Sequence, residues 1–184
     1  MPSFNKVDES QLVKAAINGD PDAFGELYEL YAAAVFRFLY AHMGNRLDAE
    51  DLTEDVFMRV WRSLPAYREQ GIPFQAYLFR VARHAMIDTY RKSGQNRQTV
   101  STEDVLLPDH QPGPAEQVGA SLEQQQMRET MSHLNEDYRT VLILRFFMDF
   151  STEETAGAMG RSPGAVRVLQ HRALLALRSL LDGK

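Results

Sequence analysis

The amino-acid sequence predicts an all-α protein, and two observations carry this prediction. Apolar residues recur at three- and four-residue spacing through nearly every segment, which is typical of amphipathic helices. Convincing period-two alternation, the pattern of a half-buried strand, is missing from the sequence. We therefore predict helices over 8–17, 21–43, 48–64, 74–92, 115–133, 135–147, 152–159 and 163–181.

One polar segment divides these helices into two groups. Ser93 to Pro114 contains three of the eight prolines, and its apolar residues are few. Such a segment is longer than most connections inside a compact domain and is typical of a linker. The sequence therefore predicts two small helical domains, residues 1–92 and 115–184, joined by a flexible linker over 93–114.

Composition excludes several classes of protein. The chain of 184 residues is 44% hydrophobic, which is too apolar for a disordered protein. It has no cysteine, so disulfides, thiol nucleophiles and Cys-ligated zinc are excluded. No segment has the roughly 18 apolar residues of a membrane helix, and the first residues lack a signal-peptide core. We expect a cytoplasmic protein without membrane insertion.

The net charge of −5 conceals two basic segments. Residues 74–92 carry four basic side chains against one acidic, and residues 161–184 carry five against one. Most other segments are neutral or acidic. Contact with a polyanion such as nucleic acid is therefore expected at these two segments, although two solvated helix faces would give the same pattern.

The C-terminal segment has the pattern of a helix-turn-helix. Gly160 is suited to a left-handed helix cap, Ser162 to an N-cap and Pro163 to the first helical position. Two helices joined by a three-residue turn with glycine are typical of this DNA-binding motif. The second helix should bury one stripe and expose basic residues that suit the major groove. An ordinary helical hairpin is the alternative. The predicted inward stripe is Val166, Leu169, Ala173, Leu177 and Leu180.

The helix predicted over 48–64 combines a core stripe with an acidic face. Leu52, Val56, Val60 and Leu64 form the stripe, and carboxylates fall beside it. Aromatic residues next to an acidic face are typical of a protein-docking surface. A solvated helix and a metal site built on the carboxylates are the alternatives, but this helix lacks a histidine and the Glu-x-x-His spacing.

The helix predicted over 74–92 should bury one face and present basic and hydrogen-bonding groups on the other. Arginines interleaved with such groups suit single-stranded nucleic acid, in which bases stack or enter pockets. The sequence has no Gly-rich phosphate loop, no HExxH helix and no nucleophile–base pair. We therefore expect a binding protein, not an enzyme, with no cofactor and no metal.

The order of these motifs resembles sigma factors of bacterial RNA polymerase, of the extracytoplasmic-function (group IV) type. The resemblance lies in DAFGELYELYAAAVFRF, AEDLTEDVFMRVWRSLPAY and FQAYLFRVARHAMIDTYRK, and after the linker in LNEDYRTVLILRFFMDFSTEETAGAMGRSPGAVRVLQHRALLALR. It implies a −10 promoter domain followed by a −35 domain. The protein would direct core RNA polymerase to promoters and help to melt the −10 region.

The resemblance also implies roles for individual residues. His84 stands where the family usually has asparagine. The residues that would dock on the polymerase clamp helices are Asp51, Asp55, Phe57, Arg59 and Trp61. Those near the −10 strand would be Tyr67, Arg68, Arg80, Arg83, His84, Asp88 and Arg91. Those facing the −35 duplex would be Arg161, Ser162, Gly164, Arg167, His171 and Arg172.

Partners follow from the same resemblance. They are the clamp helices of the largest polymerase subunit, the flap of the second-largest subunit and promoter DNA, with an anti-sigma factor as a further partner that members of the family often have. Two alternative functions remain at this point. One is a ligand-responsive, dimeric helix-turn-helix transcription regulator, and the other is a helical metal-dependent enzyme.

Overall fold

The computed structural model describes residues 6–67, 72–92, 127 and 129–182. The N-terminal helices are α1 (Lys6–Ile17), α2 (Pro21–Met43), α3 (Arg46–Ser63) and α4 (Phe74–Lys92), with a 3₁₀ turn at Leu64–Ala66. The C-terminal helices are α5 (Glu136–Leu142), which continues as a π-helical turn over Ile143–Phe147, α6 (Thr152–Met159) and α7 (Pro163–Asp182). The regular elements in these described ranges are all helical, which confirms the all-α prediction. The predicted linker over 93–114 and the predicted site residue Arg68 lie outside the described residues.

Short-range sequence signals place the ends of α2 and α3. Asp20 Oδ1 accepts hydrogen bonds from the backbone N–H groups of Asp22 and Ala23 at the start of α2. Gly44 ends α2 with a φ of 70°, in the left-handed region that favours glycine. Asn45 then caps α3, and its side chain accepts from the backbone N–H of Asp48. The short turn lets α2 and α3 pack side by side.

The turn between α6 and α7 has the predicted helix-turn-helix chemistry. Gly160 closes α6 with a φ of 64°, and the N–H of Arg161 donates to the carbonyl of Ala156. Ser162 Oγ accepts from the N–H of Ala165, while α7 begins at Pro163. Each of the three predicted turn residues therefore has its expected role.

Both predicted core stripes are confirmed. Leu52, Val56 and Val60 of α3 and Leu64 just after it are all buried. In α7, Val166 and Ala173 are fully buried, and the other three stripe residues pack against the core as partly buried side chains. The apolar periodicity of these helices thus identified the sides that face inward.

Helix α4 differs from its prediction because it is buried on two sides. Phe74, Leu78, Ala82 and Ala85 face the N-terminal core as the periodicity indicates. The side predicted to face solvent is instead partly covered by the C-terminal helices, which contact Arg80 and Arg83 and bury Phe79 against the ring of Phe150 at a centroid distance of 4.9 Å. The prediction of a solvent-facing side was wrong for Arg80 and Arg83, because it treated the two groups of helices as separate.

The two glycines of the helix-turn-helix should respond to alanine in opposite directions. Gly160→Ala places a side chain on left-handed backbone and should lower the free energy of unfolding by about 1–2 kcal/mol. Gly164 lies in α7, and a Cβ there would meet nothing within 4 Å. Gly164→Ala should therefore raise stability by about 0.5–1 kcal/mol. Urea denaturation followed by circular dichroism measures both, and shifts in the same direction would contradict the assigned backbone conformations.

Candidate nucleic-acid and polymerase interface

The exposed face of α7 carries the residues predicted for duplex DNA. Ser162, Gly164, Arg167, His171 and Arg172 are all exposed. Ser162 ends the turn, and Gly164, Arg167 and His171 lie on the side of α7 away from the buried stripe, so this side presents donors to solvent. The side chain of Arg167 is 68% exposed, and its nearest acidic neighbour in the described chain, Glu153, lies 3.9 Å away.

Arg161, at the same turn, is already paired. Its Nη2 atom lies 2.5 Å from Oδ2 of Asp137, a residue in the first turn of α5. The contact joins the helix-turn-helix to the start of α5. Among the predicted −35 residues in the described chain, Arg161 therefore has a different environment from Arg167.

The arginines predicted for the −10 strand are held between the two groups of helices. Arg80 Nε donates to the backbone carbonyl of Gly157 in α6 at 2.8 Å. Arg83 Nη2 lies 2.9 Å from Oε1 of Glu136 and 2.9 Å from Oδ1 of Asp137, and its side chain is only 15% exposed. These two cationic groups are thus directed at the C-terminal helices and not at solvent.

The other predicted −10 residues have different environments. His84 and Arg91 are exposed, and Asp88 is half-buried. Tyr67 is buried, its ring packs near Phe74 and Tyr77, and its hydroxyl donates to the carbonyl of Ile72 at 2.8 Å. Tyr67 therefore braces the segment before α4 in this structure.

The predicted polymerase-docking residues of α3 separate into surface and core. Asp51 is exposed, while Asp55 and Trp61 are half-buried. Phe57 is only 3% exposed and packs edge-on against Tyr28, with ring centroids 4.7 Å apart. Trp61 packs on Phe24 at 4.8 Å. The aromatic residues support the acidic surface from beneath.

Arg59 links this surface to α4. It donates from Nε to Oδ2 of Asp55 at 2.8 Å, and its Nη1 lies 3.4 Å from Oδ2 of Asp88. The hydrogen bond that Arg59 donates to Asp55 raises the pKa of Arg59. A residue assigned to polymerase docking and one assigned to the −10 strand are therefore neighbours.

Sequence reasoning missed Glu136, Asp137 and Gly157. Two acidic residues after Asn135 indicate only the first turn of a capped helix, and the side chain of Asn135 does accept from the backbone N–H of Tyr138. A glycine inside α6 gives no local sign of its neighbours. Only the packing of α5 and α6 beside α4 gives these residues their contacts.

The described ranges contain no group of three or more His, Cys, Asp or Glu side chains placed to hold a metal ion. The carboxylates of α3 are thus not gathered into such a group. No helix in the part of the chain that the structure describes is long and apolar enough to cross a membrane.

Comparison with known families matches both ends of the chain. The family Sigma-70 region 2 matches residues 27–96, and Sigma-70, region 4 matches residues 124–177. The ECF RNA polymerase sigma factor SigD of Mycobacterium tuberculosis is 34% identical over 174 residues, which cover 91% of this chain and 81% of that protein. This chain belongs to the ECF RNA polymerase sigma factors. The predicted family is therefore confirmed, and with it the function of directing RNA polymerase to promoters.

Other relatives in this family are equally informative. The ECF RNA polymerase sigma factor BldN of Streptomyces coelicolor is 36% identical over 93% of this chain, which spans 65% of that protein's length. Among solved structures, CnrH in complex with the cytosolic domain of CnrY superposes with a TM-score of 0.73 at 26% identity, over 96% of this chain and 99% of that one. RpoE of Bartonella quintana in complex with the anti-sigma factor NepR gives 0.66 at 28% identity, over 86% and 96%.

Proposed function

We propose that this sigma factor divides its work between its two groups of helices. Residues 1–92 would bind core polymerase and the −10 element, and residues 115–184 would bind the −35 element and the polymerase flap, with 93–114 as the connection. The observation that carries the proposal is the exposed basic face of α7, which follows a helix-turn-helix turn in a chain that also presents an exposed acidic helix. The two surfaces have the opposite charges that DNA and a basic polymerase surface require.

The −35 surface is the exposed part of α7 around Arg167, His171 and Arg172. Its support is geometric, since the first turns of the second helix in this motif enter the major groove. Arginine can pair with the O6 and N7 atoms of guanine there. Ser162 and Gly164 allow the phosphate backbone to approach the start of α7 closely.

The polymerase surface is the exposed part of α3 around Asp51. Asp55 and Trp61 extend it, and Phe57 supports it from the core. Arg59 holds Asp55 in place instead of projecting freely, because it forms an ion pair with that carboxylate. We expect Asp51 to make the stronger contact with the clamp helices because it is the more exposed carboxylate.

The −10 surface is the side of α4 that carries Arg80, Arg83, His84, Asp88 and Arg91. Its amino-acid types can follow phosphates and hydrogen bond an unstacked base. Capture of such a base would offset the unstacking cost of a few kcal/mol per step. Tyr67 would act by bracing the adjacent segment, because its ring and hydroxyl are already engaged in the core.

This chain contributes binding and selectivity, and the polymerase supplies the catalysis. It would act in the bacterial cytoplasm, where polymerase and chromosome are found. An anti-sigma factor is a further proposed partner, since RpoE, which is similar in structure, is in a complex with the anti-sigma factor NepR.

Transcription in vitro tests the proposal as a whole. Core polymerase with a library of promoter sequences should give transcripts that depend on this protein and share two elements at fixed spacing. Core polymerase alone is the control. If the protein instead binds palindromic DNA as a dimer and gives no transcripts, the result would support the ligand-responsive regulator.

Charge reversal in α3 should weaken polymerase binding. Asp51→Arg changes an exposed side chain and leaves the aromatic packing of Phe57 and Trp61 intact. Because like charges in contact cost on the order of several kcal/mol, affinity for core should fall by at least about tenfold. Glu129→Arg makes the same charge change at an exposed position outside α3. Equal binding by both variants in a titration with labelled core would contradict the assigned surface.

Removing one arginine from α7 should relax promoter selectivity. Arg167→Ala should cost about 1–3 kcal/mol if the guanidinium pairs with guanine, and the loss should concentrate at one −35 position. Arg178→Ala, further along α7 at a side chain that is 79% exposed, is the matched control. The measurement is the affinity of the holoenzyme for a set of promoters in which every −35 position carries each of the four bases in turn. An equal loss of affinity for every −35 sequence would show that Arg167 contacts a phosphate and not a base.

A further inference from the structure

Val168 is an exposed apolar residue on the polar side of α7. Its side chain is 54% exposed, and it belongs neither to the core nor to the residues that pack against the core. Arg167 precedes it, and His171 and Arg172 follow it on the next turn, all of them exposed. At about 100° per residue, Val168 lies about 160° around the helix from the buried Val166. Its side chain is therefore presented to solvent among hydrogen-bond donors and contributes little to holding the fold.

Gly164 leaves open the space that Val168 faces. Side chains of an α-helix lean toward its N-terminal end, so a residue covers the turn that precedes it. The neighbour of Val168 on that turn is Gly164, and even a Cβ there would meet nothing within 4 Å. Valine in a helix has one strongly preferred rotamer, which holds its two methyl groups in place. The start of α7 thus carries a small, fixed apolar surface that is open to an approaching base edge.

The major groove offers one chemical match for this surface. Base edges present hydrogen-bond donors and acceptors there, and the 5-methyl group of thymine is their apolar feature. A valine placed against a polar base edge would remove water from it without supplying a hydrogen bond, which is unfavourable. A valine placed against the thymine methyl group removes apolar area of both from water, which is favourable.

We propose that Val168 is a specificity-determining residue that selects thymine in the −35 element by contact with its 5-methyl group. The proposal rests on the proposed function, because it requires the start of α7 to enter the major groove. It adds an apolar contact to a surface whose other side chains recognise DNA by charge and hydrogen bonding. Selection at one position of the element then depends on a methyl group and not on a hydrogen bond.

The thymine should lie close to the base that Arg167 contacts. Neighbouring Cα atoms are about 3.8 Å apart, and successive base pairs are about 3.4 Å apart along the DNA axis. The side chains of Arg167 and Val168 leave α7 in directions about 100° apart, which separates their targets further. We therefore expect the thymine, on either strand, within about two base pairs of the position at which Arg167→Ala relaxes selectivity.

Docking of a protein is the other use that an exposed apolar residue can have. Leu175 lies two turns beyond Val168 on the same side and is 55% exposed. Exposed His171 and Arg172 come between the two, so the apolar residues do not form a continuous patch. Helix α7 also has no acidic residue before Asp182. These cationic and polar surroundings favour contact with DNA over contact with an apolar protein surface.

Deoxyuridine in place of thymine tests the contact, because it lacks only the 5-methyl group. Promoters that carry deoxyuridine at each −35 thymine in turn, on either strand, are titrated with holoenzyme. At one position the wild-type holoenzyme should bind the deoxyuridine promoter about three- to fivefold more weakly, which is the effect of burying one methyl group. Val168→Ala should bind the thymine promoter more weakly than the wild type and should lose the difference between the two bases.

Leu175→Ala is the matched control. It also removes an exposed apolar side chain from this side of α7, about 10 Å further along the helix axis. This variant should keep the wild-type difference between thymine and deoxyuridine. Both substitutions are at exposed positions and introduce a good helix former, so circular dichroism and affinity for core polymerase should be unchanged.

The outcomes of the deoxyuridine experiment are distinct. An equal difference in the wild type and Val168→Ala, or no difference at any position, would overturn the proposal. A selected −35 element made only of G·C pairs would also overturn it. Weaker core binding by Val168→Ala with an unchanged deoxyuridine difference would assign Val168 to a protein contact instead. If the wild-type chain with core gives no promoter-dependent transcripts, the proposed function itself fails.

Promoter selection with Val168→Ser separates base selection from a structural role. The serine hydroxyl can hydrogen bond with more than one kind of base. The preference for thymine should therefore broaden at one position of a randomised −35 element, while the position that depends on Arg167 keeps its preference. Equal weakening of the preferences at all positions would show that Val168 only supports the helix and would contradict the proposal.

Discussion

The packing of α6 against α4 is the constraint on which the rest of the arrangement depends. A glycine in α6 lets the two helices approach, and Phe79 and Phe150 fill the space beside them. The contact buries apolar surface from both groups of helices, which is the main favourable contribution to such an interface. Once it forms, the arginines of α4 lie within reach of α5 and α6, and their pairing follows from that position.

The charged groups at this interface give it specificity more than stability. Arg83, Glu136 and Asp137 form a half-buried cluster whose desolvation cost opposes its ion-pair attraction. Two of its polar atoms lack hydrogen bonds within the described chain, and such groups cost about 1–3 kcal/mol each. The aromatic and small-residue contacts therefore hold the helices together, while the ion pairs determine which side chains meet across the interface.

The proposed polymerase-facing and DNA-facing sides of the N-terminal helices are also physically connected. Arg59 in α3 contacts Asp55 on its own helix and Asp88 on α4. The half-buried Asp55 of α3 and the proposed −10 surface of α4 are thus linked through Arg59, in addition to the buried core between the helices. Their relative geometry is set before either partner binds, which lowers the ordering cost of forming a promoter complex.

The sequence by itself determined the helical class, the helix-turn-helix and the family. Local chemistry suffices for these features, because a cap at Ser162, a left-handed glycine at 160 and apolar spacing in α3 act within a few residues. Only the tertiary structure decided which surfaces are open. The contacts of Asp137 with Arg83 and of Gly157 with Ala76 join residues more than fifty positions apart, and no local pattern records such a pairing. Helical periodicity identifies an apolar face, but which other helix covers the opposite face depends on how the chain packs as a whole.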